Sequence, residues 1–179
     1  LPKVIIPVHL AGSSCDMKKI YNLSLDYNFK IIEDASHAIG GKYQNNKVGS
    51  CKYSNITIFS FHPVKIITTG EGGAASTNDK YLAEKMFQLR SHGITKDQSK
   101  FEASSTPPWH YEQQLLGFNY RMNDIQAALG INQLSKVDKF VKKRHEIRDS
   151  YKKKLSNKKI KFLEIPFDVY SSLHLLVIR

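Results

Sequence analysis

Two short apolar runs set the strongest constraint on the fold. "VIIPVHL" (4–10) is β-branched at its start, and "FKIIED" (29–34) is a second such run, cut off by two acids. Each reads as a buried strand. Between them, "GSS" leads to Asp16, a residue type that caps helices, ahead of "MKKIYNLSLDY". A strand, a helix and a strand in that order form a crossover unit. Its two strands lie parallel, in a sheet covered by helices. The fold class expected is α/β, with a mostly parallel sheet flanked by helices.

The rest of the chain extends that pattern. "NITIFSF" (55–61) is a third strand, followed by His62-Pro63, which discourages a helix, and "GGAAST" (72–77) is a short fourth strand. Asn78 or Asp79 caps the helical "KYLAEKMFQLRSHG", which stops on Gly93. Residues 94–120 are irregular, with Pro107-Pro108, Trp109 and several further aromatics. A loop of that length in a compact domain is usually functional or partner-bound. Asn123 or Asp124 starts a long helical stretch with Gly130 and Ser135 as its weak points. Pro166 closes it, and "SSLHLLVIR" reads as the first strand of a further unit. The expected division is therefore 1–165 and 166–179.

With 179 residues the chain can build one domain with a real core but not two well-formed ones. Its first apolar run is too short to span a bilayer and lacks the flanks of a secretory signal. Both ends read like the interior of a longer protein. Cys15 and Cys51 have neither metal-ligand nor CxxC spacing, so reduced thiols in a cytoplasmic protein are expected. The formal net charge is +11, and residues 136–161 hold twelve Lys/Arg against three Asp/Glu. Such a run could bind nucleic acid or an anionic membrane, but no aromatics are interleaved as a single-strand platform requires. The spacing suits the solvated face of a helix, with Val137, Phe140, Val141 and Ile147 on the other side. Neither nucleic acid nor membrane is expected as a partner.

Six residues could carry chemistry. Lys65, in "SFHPVKIITTGEGG", is not a P-loop lysine, because the glycines follow it and Ile66 comes next. Val64, Ile66 and Ile67 place the amine in an apolar setting, which lowers an amine's pKa and suits a Schiff-base lysine; an exposed loop lysine is the alternative. Asp34 ends the second strand, where ligands bind in parallel sheets, and could hold a pyridine nitrogen protonated or simply cap "ASHA". His37 would share its face if a helical turn began there, yet the pair lacks further metal ligands at the usual spacing. Ser60 ends the third strand, where its hydroxyl could meet a phosphate. In "LGFNYRMNDIQAALG", Asn119 and Arg121 could do the same or be plain loop polarity.

In order, "EDASHAIGGKYQNNKVGS", "SFHPVKIITTGEGGAAST", "LRSHGI" and "GFNYRMNDIQAALGINQL" resemble the DegT/StrS family of pyridoxal 5'-phosphate (PLP)-dependent sugar aminotransferases, over nearly the whole chain. The resemblance implies the large domain of a fold-type I, aspartate aminotransferase-like enzyme, here incomplete. It implies that Lys65 carries PLP covalently, Asp34 pairs with the pyridine nitrogen, His37 lies by the phenolic oxygen and Ser60 binds the phosphate. Asn119 would reach the cofactor of a neighbouring subunit in a homodimer with shared sites, and Arg121 would face the nucleotide sugar. A branch of the family that dehydrates has histidine in place of the lysine, so Lys65 favours transamination. Within the family, "SFHPVKIITTGEGG" is most like the branch of pseudaminic acid synthesis, which aminates C4 of a UDP-linked 4-keto-6-deoxy sugar with glutamate. The branch acting on UDP-4-keto-pentose is the alternative. Family members carry an upstream phosphate loop and a stacking aromatic that this chain does not contain, so the 179 residues alone are expected to be inactive. "SSLHLLVI" resembles the family's His-Leu-aromatic motif, with Leu176 where an aromatic is common.

Overall fold

Strands β1 (Val4–Ile5) and β2 (Lys30–Asp34) are parallel and joined by helix α1 (Met17–Tyr27) in the computed structural model, which describes residues 1–179. Asp16 caps α1 by accepting the Lys19 N–H, and the helix stops on Asn28 in the left-handed region. A small hairpin of β3 (Lys42–Tyr43) and β4 (Asn46–Lys47) follows. Then β5 (Ile56–Ser60) pairs parallel with β2, and β6 (Gly73–Ser76) pairs antiparallel with β5. The sheet order is β1-β2-β5-β6, mostly parallel as the crossover unit requires.

The chain forms two compact units. Residues 79–123 make up one, with α2 (Lys80–Leu89) capped by Asp79 and a short pair of strands, β7 (Ile94–Thr95) and β8 (Glu112–Gln113). The helix ends at Leu89, short of the Gly93 expected to stop it; Gly93 (φ 71) returns its N–H to Gln88 O at 2.9 Å in the turn that follows. The other unit joins 1–78 to 124–179 and adds α3 (Asp124–Leu134), α4 (Val137–Lys154) and β9 (Val169–Tyr170), which pairs antiparallel with β3.

Several expectations need correction. The run 4–10 is not one buried strand. Pro7 has no N–H to give, so the ladder lapses after Ile5 and resumes only as a bridge from Val8 to Asp34. Val4, Ile6 and Val8 are 44, 57 and 48% exposed, as suits an edge. Of the two weak points expected in the long helical stretch, Ser135 is where it breaks, at Ser135-Lys136, whereas Gly130 sits inside α3. A Cβ on Gly130 would come within 2.9 Å of the Thr69 methyl, so this glycine serves a close approach. Finally, "SSLHLLVIR" is no strand beyond its Tyr170 neighbour. Ser171, Ser172 and Leu173 are buried in the first unit, and only Ile178 bridges back, to Phe162.

The charged helix α4 has one buried side. Val137 and Val141 are buried with Ile66 and Ile67, flanked by Ile39, Phe61 and Phe140. Ile147, expected on that side, is 45% exposed. The seam continues instead through Arg144, whose Nη1 donates to Leu173 O and His174 O at 3.2 and 3.1 Å, and His145, which bonds Ser171 O at 2.7 Å. No helix is long and apolar enough to cross a membrane.

Val141→Ala removes two methyl groups from this seam. It is expected to destabilise the full-length protein by about 2 kcal/mol. Ile147→Ala is expected to change stability by no more than about 0.5 kcal/mol. Urea unfolding of the two variants checks the assignment, and equal losses would contradict it.

Candidate active site

The two central strands end side by side. Asp34 is in register with Ile58, and the Ala35 N–H donates to Ile58 O at 2.9 Å. Side chains two apart on a strand share a face, so Asp34 and Ser60 stand on one face at the carboxyl edge of the sheet. Ligands bind at that edge in parallel α/β sheets.

Asp34 both caps and charges the site. Its Oδ1 accepts the Ser36 N–H at 3.0 Å, and the Ala38 N–H closes onto Ala35 O at 2.8 Å. This is a turn and not the start of a helix, yet it brings His37 within electrostatic reach. Burial pushes the Asp34 carboxyl up, but the Ser36 bonds and the charges of His37 and Lys65 outweigh it and hold its pKa below the usual carboxylate range. His37 is shifted down by burial and then by Lys65, against the pull of Asp34. Its Nδ1 accepts the Ala11 N–H at 3.4 Å.

Lys65 lies in the loop after β5. Its N–H donates to His62 O at 2.9 Å, and the loop closes where Phe61 N–H meets Gly72 O and Thr69 N–H meets Phe61 O. Of its apolar neighbours, Ile66 and Ile67 are buried, whereas Val64 is 63% exposed and gives the amine no cover. Ser60 Oγ accepts the His62 N–H at 3.4 Å. Asp34, His37, Ser60 and Lys65 thus belong to the first unit. Asn119 and Arg121 belong to the other, both exposed, with Asn119 bridged to Ser91 and Tyr120 N–H donating to Arg90 O.

Sequence reasoning left two groups unassigned. Glu33 alternates to the opposite face from Asp34, where it is buried and accepts from Thr57 Oγ1 at 3.0 Å, Ser54 Oγ and His9 Nε2 at 2.7 Å. The Cys15 N–H donates to His9 Nδ1 at 3.2 Å. Burial pushes Glu33 up, and the His9 and Ser54 bonds pull it below its ordinary range. The alternation of β2 was the signal available for it. The second group is His174, whose ring lies 4.4 Å from that of His37. Only its place in the His-Leu motif marked it.

A carboxylate kept ionised, an imidazole and a lysine meet at the carboxyl edge of the parallel strands of an α/β sheet. Residues 2–179 match the DegT/DnrJ/EryC1/StrS aminotransferase family, and the chain belongs to it. It is similar to the UDP-4-amino-4,6-dideoxy-N-acetyl-beta-L-altrosamine transaminase of Campylobacter jejuni subsp. jejuni serotype O:2, 47% identical over 146 residues, covering 82% of this chain and 36% of that protein. Among solved structures, Helicobacter pylori PseC, an aminotransferase involved in the biosynthesis of pseudoaminic acid, superposes with a TM-score of 0.86 at 36% identity. The match covers 98% of this chain and 45% of that one. Spr1654 of Streptococcus pneumoniae in its PLP-form gives 0.83 at 30% identity, covering 99% and 47%. The fold is that of the PLP-dependent aminotransferases, and the chain spans less than half the length of these relatives.

Burial, then the charges of His37, Lys65 and Arg144, push His174 down to about 4. The unfolded chain takes that proton near pH 6.5, so between 6.5 and about 4 the unfolded state binds more protons and stability falls with acid. His174→Phe removes this contribution. Urea midpoints at pH 7 and pH 5 are expected to drop further for the wild type than for the variant; equal drops would contradict the shift.

Proposed function

We propose that the full-length protein is a PLP-dependent aminotransferase that converts a UDP-linked 4-keto-6-deoxy sugar to its 4-amino form, with glutamate as donor. The observation that carries this reading is the grouping of Asp34, His37 and Lys65, each acting electrostatically on the others, at one sheet edge. The donor set fits the cofactor. Asp34 stays ionised to face a protonated ring nitrogen, Lys65 offers the amine for the aldehyde carbon, and Ser60 offers a hydroxyl to phosphate. When bound, the ring withdraws electrons from the carbon that loses its proton.

The chain's own residues do the rest. Lys65 Nζ would hold the cofactor and, once the donor's amine displaces it, would take the proton from the donor's amino-bearing carbon and deliver it to the cofactor carbon; in the second half it would take a proton from that cofactor carbon and deliver it to C4 of the sugar. Asp34 stays anionic through both halves because the Ser36 bonds stabilise its charge. His37 Nδ1 is occupied by Ala11, so its ring donates from Nε2, toward the phenolic oxygen in this reading. Asn119 reaches the cofactor of the second subunit in a homodimer, and Arg121 faces the nucleotide. The sugar assignment is supported by the 47% identity to the altrosamine transaminase and by the PseC superposition. The two free thiols, Cys15 and Cys51, support a cytoplasmic enzyme.

With PLP, the purified full-length protein is expected to show a visible cofactor band that borohydride fixes onto Lys65, located by peptide mapping. Lys65→Ala is expected to lose both that band and at least about 10³-fold in turnover on a panel of UDP- and TDP-linked 4-keto sugars. A Lys65→Ala variant with the same band and full turnover would overturn the assignment.

A further inference from the structure

His37 is held on three sides. The Ala11 N–H meets its Nδ1 at 3.4 Å, which leaves the ring proton on Nε2. Its main-chain oxygen accepts from Ser172 Oγ at 2.8 Å. One ring face is covered by His174, with centroids 4.4 Å apart and planes tilted by 32°.

The segment that brings His174 there is firmly built. The Ser172 N–H donates to Gly12 O at 3.0 Å, and Arg144 Nη1 holds both Leu173 O and His174 O. Gly12 (φ 94) admits this contact because a Cβ there would collide with Ser172 Oγ and the Leu173 nitrogen. Two non-glycine residues attached to the pair lie in the left-handed region: Ala11, which donates to His37, at φ 58, and Leu173, which precedes His174, at φ 50. Such conformations persist where the surroundings over-determine them, and they gather at functional sites.

The Nδ1 of His174 is buried and has no hydrogen-bond partner. A ring placed for its nitrogens would not leave one of them unmatched. What His174 offers His37 is its face, and a neutral face adds no charge beside Lys65.

We infer that His174 is a positioning residue of this site: its ring, packed at a tilt against His37, keeps water off the imidazole and holds it in the single tautomer that donates from Nε2. The inference rests on the proposed function in assigning that donor to the cofactor's phenolic oxygen. The groups acting on the His37 ring are Asp34, Lys65 and His174 itself, with Arg144 behind His174.

The test is ¹⁵N NMR of imidazole-labelled, cofactor-free full-length protein as wild type, His174→Ala and His174→Phe. In the wild type, His37 is expected to show a protonated Nε2 and an unprotonated Nδ1 at neutral pH. His174→Ala admits water to the ring, so the His37 titration midpoint is expected to rise by about half a pH unit or more and the second tautomer to appear. His174→Phe, which keeps an aromatic face and removes the unpartnered nitrogen, is expected to restore both. In PLP-loaded protein the pH midpoint of the visible band should move with Ala and return with Phe. A wild-type His37 protonated on Nδ1, an unchanged midpoint in the Ala variant, or no rescue by Phe would each overturn the inference, the first and last even if the Ala variant fails to fold. The NMR readout does not need PLP. The expected NMR pattern without a PLP band on Lys65 would therefore sink the proposed function and leave this inference standing, and the reverse result would sink this inference alone.

Discussion

The buried side of α4 is the constraint on which the site depends. Val137 and Val141 pack on Ile66 and Ile67, the two residues after Lys65. The same valines lie over Gly40 (φ 81), where a Cβ would come within 2.9 Å of Val141 Cγ2. One turn further along, Arg144 and His145 hold the main chain of 171–174. One helix therefore fixes the loop with the amine, the turn with the imidazole and the segment that covers that imidazole. Apolar burial of this kind is non-directional, but close packing turns it into a positional restraint. The lysine-rich outer face of α4 has no part in this.

Electrostatics then sorts the groups. Asp34 is partly buried, which alone would favour its neutral form, yet two bonds to Ser36 and the nearby positive charges keep it ionised. His37 and His174 are pushed the other way, toward neutrality, by burial and by Lys65. The result is one fixed anion, one amine and two neutral rings.

Much of this was legible in the sequence because it is local. The spacing of two apolar runs around a capped helix fixed the parallel sheet, and placing Asp34 and Ser60 at strand ends placed them at the ligand edge. The single-residue details were not legible, because they depend on partners far along the chain. Pro7 splits the first run, which turned an expected buried strand into an edge. Gly130 looks like a helix-breaker until Thr69 is seen against it. Ile147 fits the helical period but lies beyond the apolar seam, where Arg144 and His145 take over. His174 meets His37 across 137 residues, and no periodicity reports such a contact. The roles proposed for Asn119 and Arg121 rest on family resemblance alone.

A crystal structure of the full-length protein with PLP tests the central claim most directly. The account predicts continuous density from Lys65 Nζ to the cofactor, with an Asp34 oxygen about 3 Å from the pyridine nitrogen. Cofactor joined to another lysine, or an Asp34 carboxylate turned away from the ring, would contradict it.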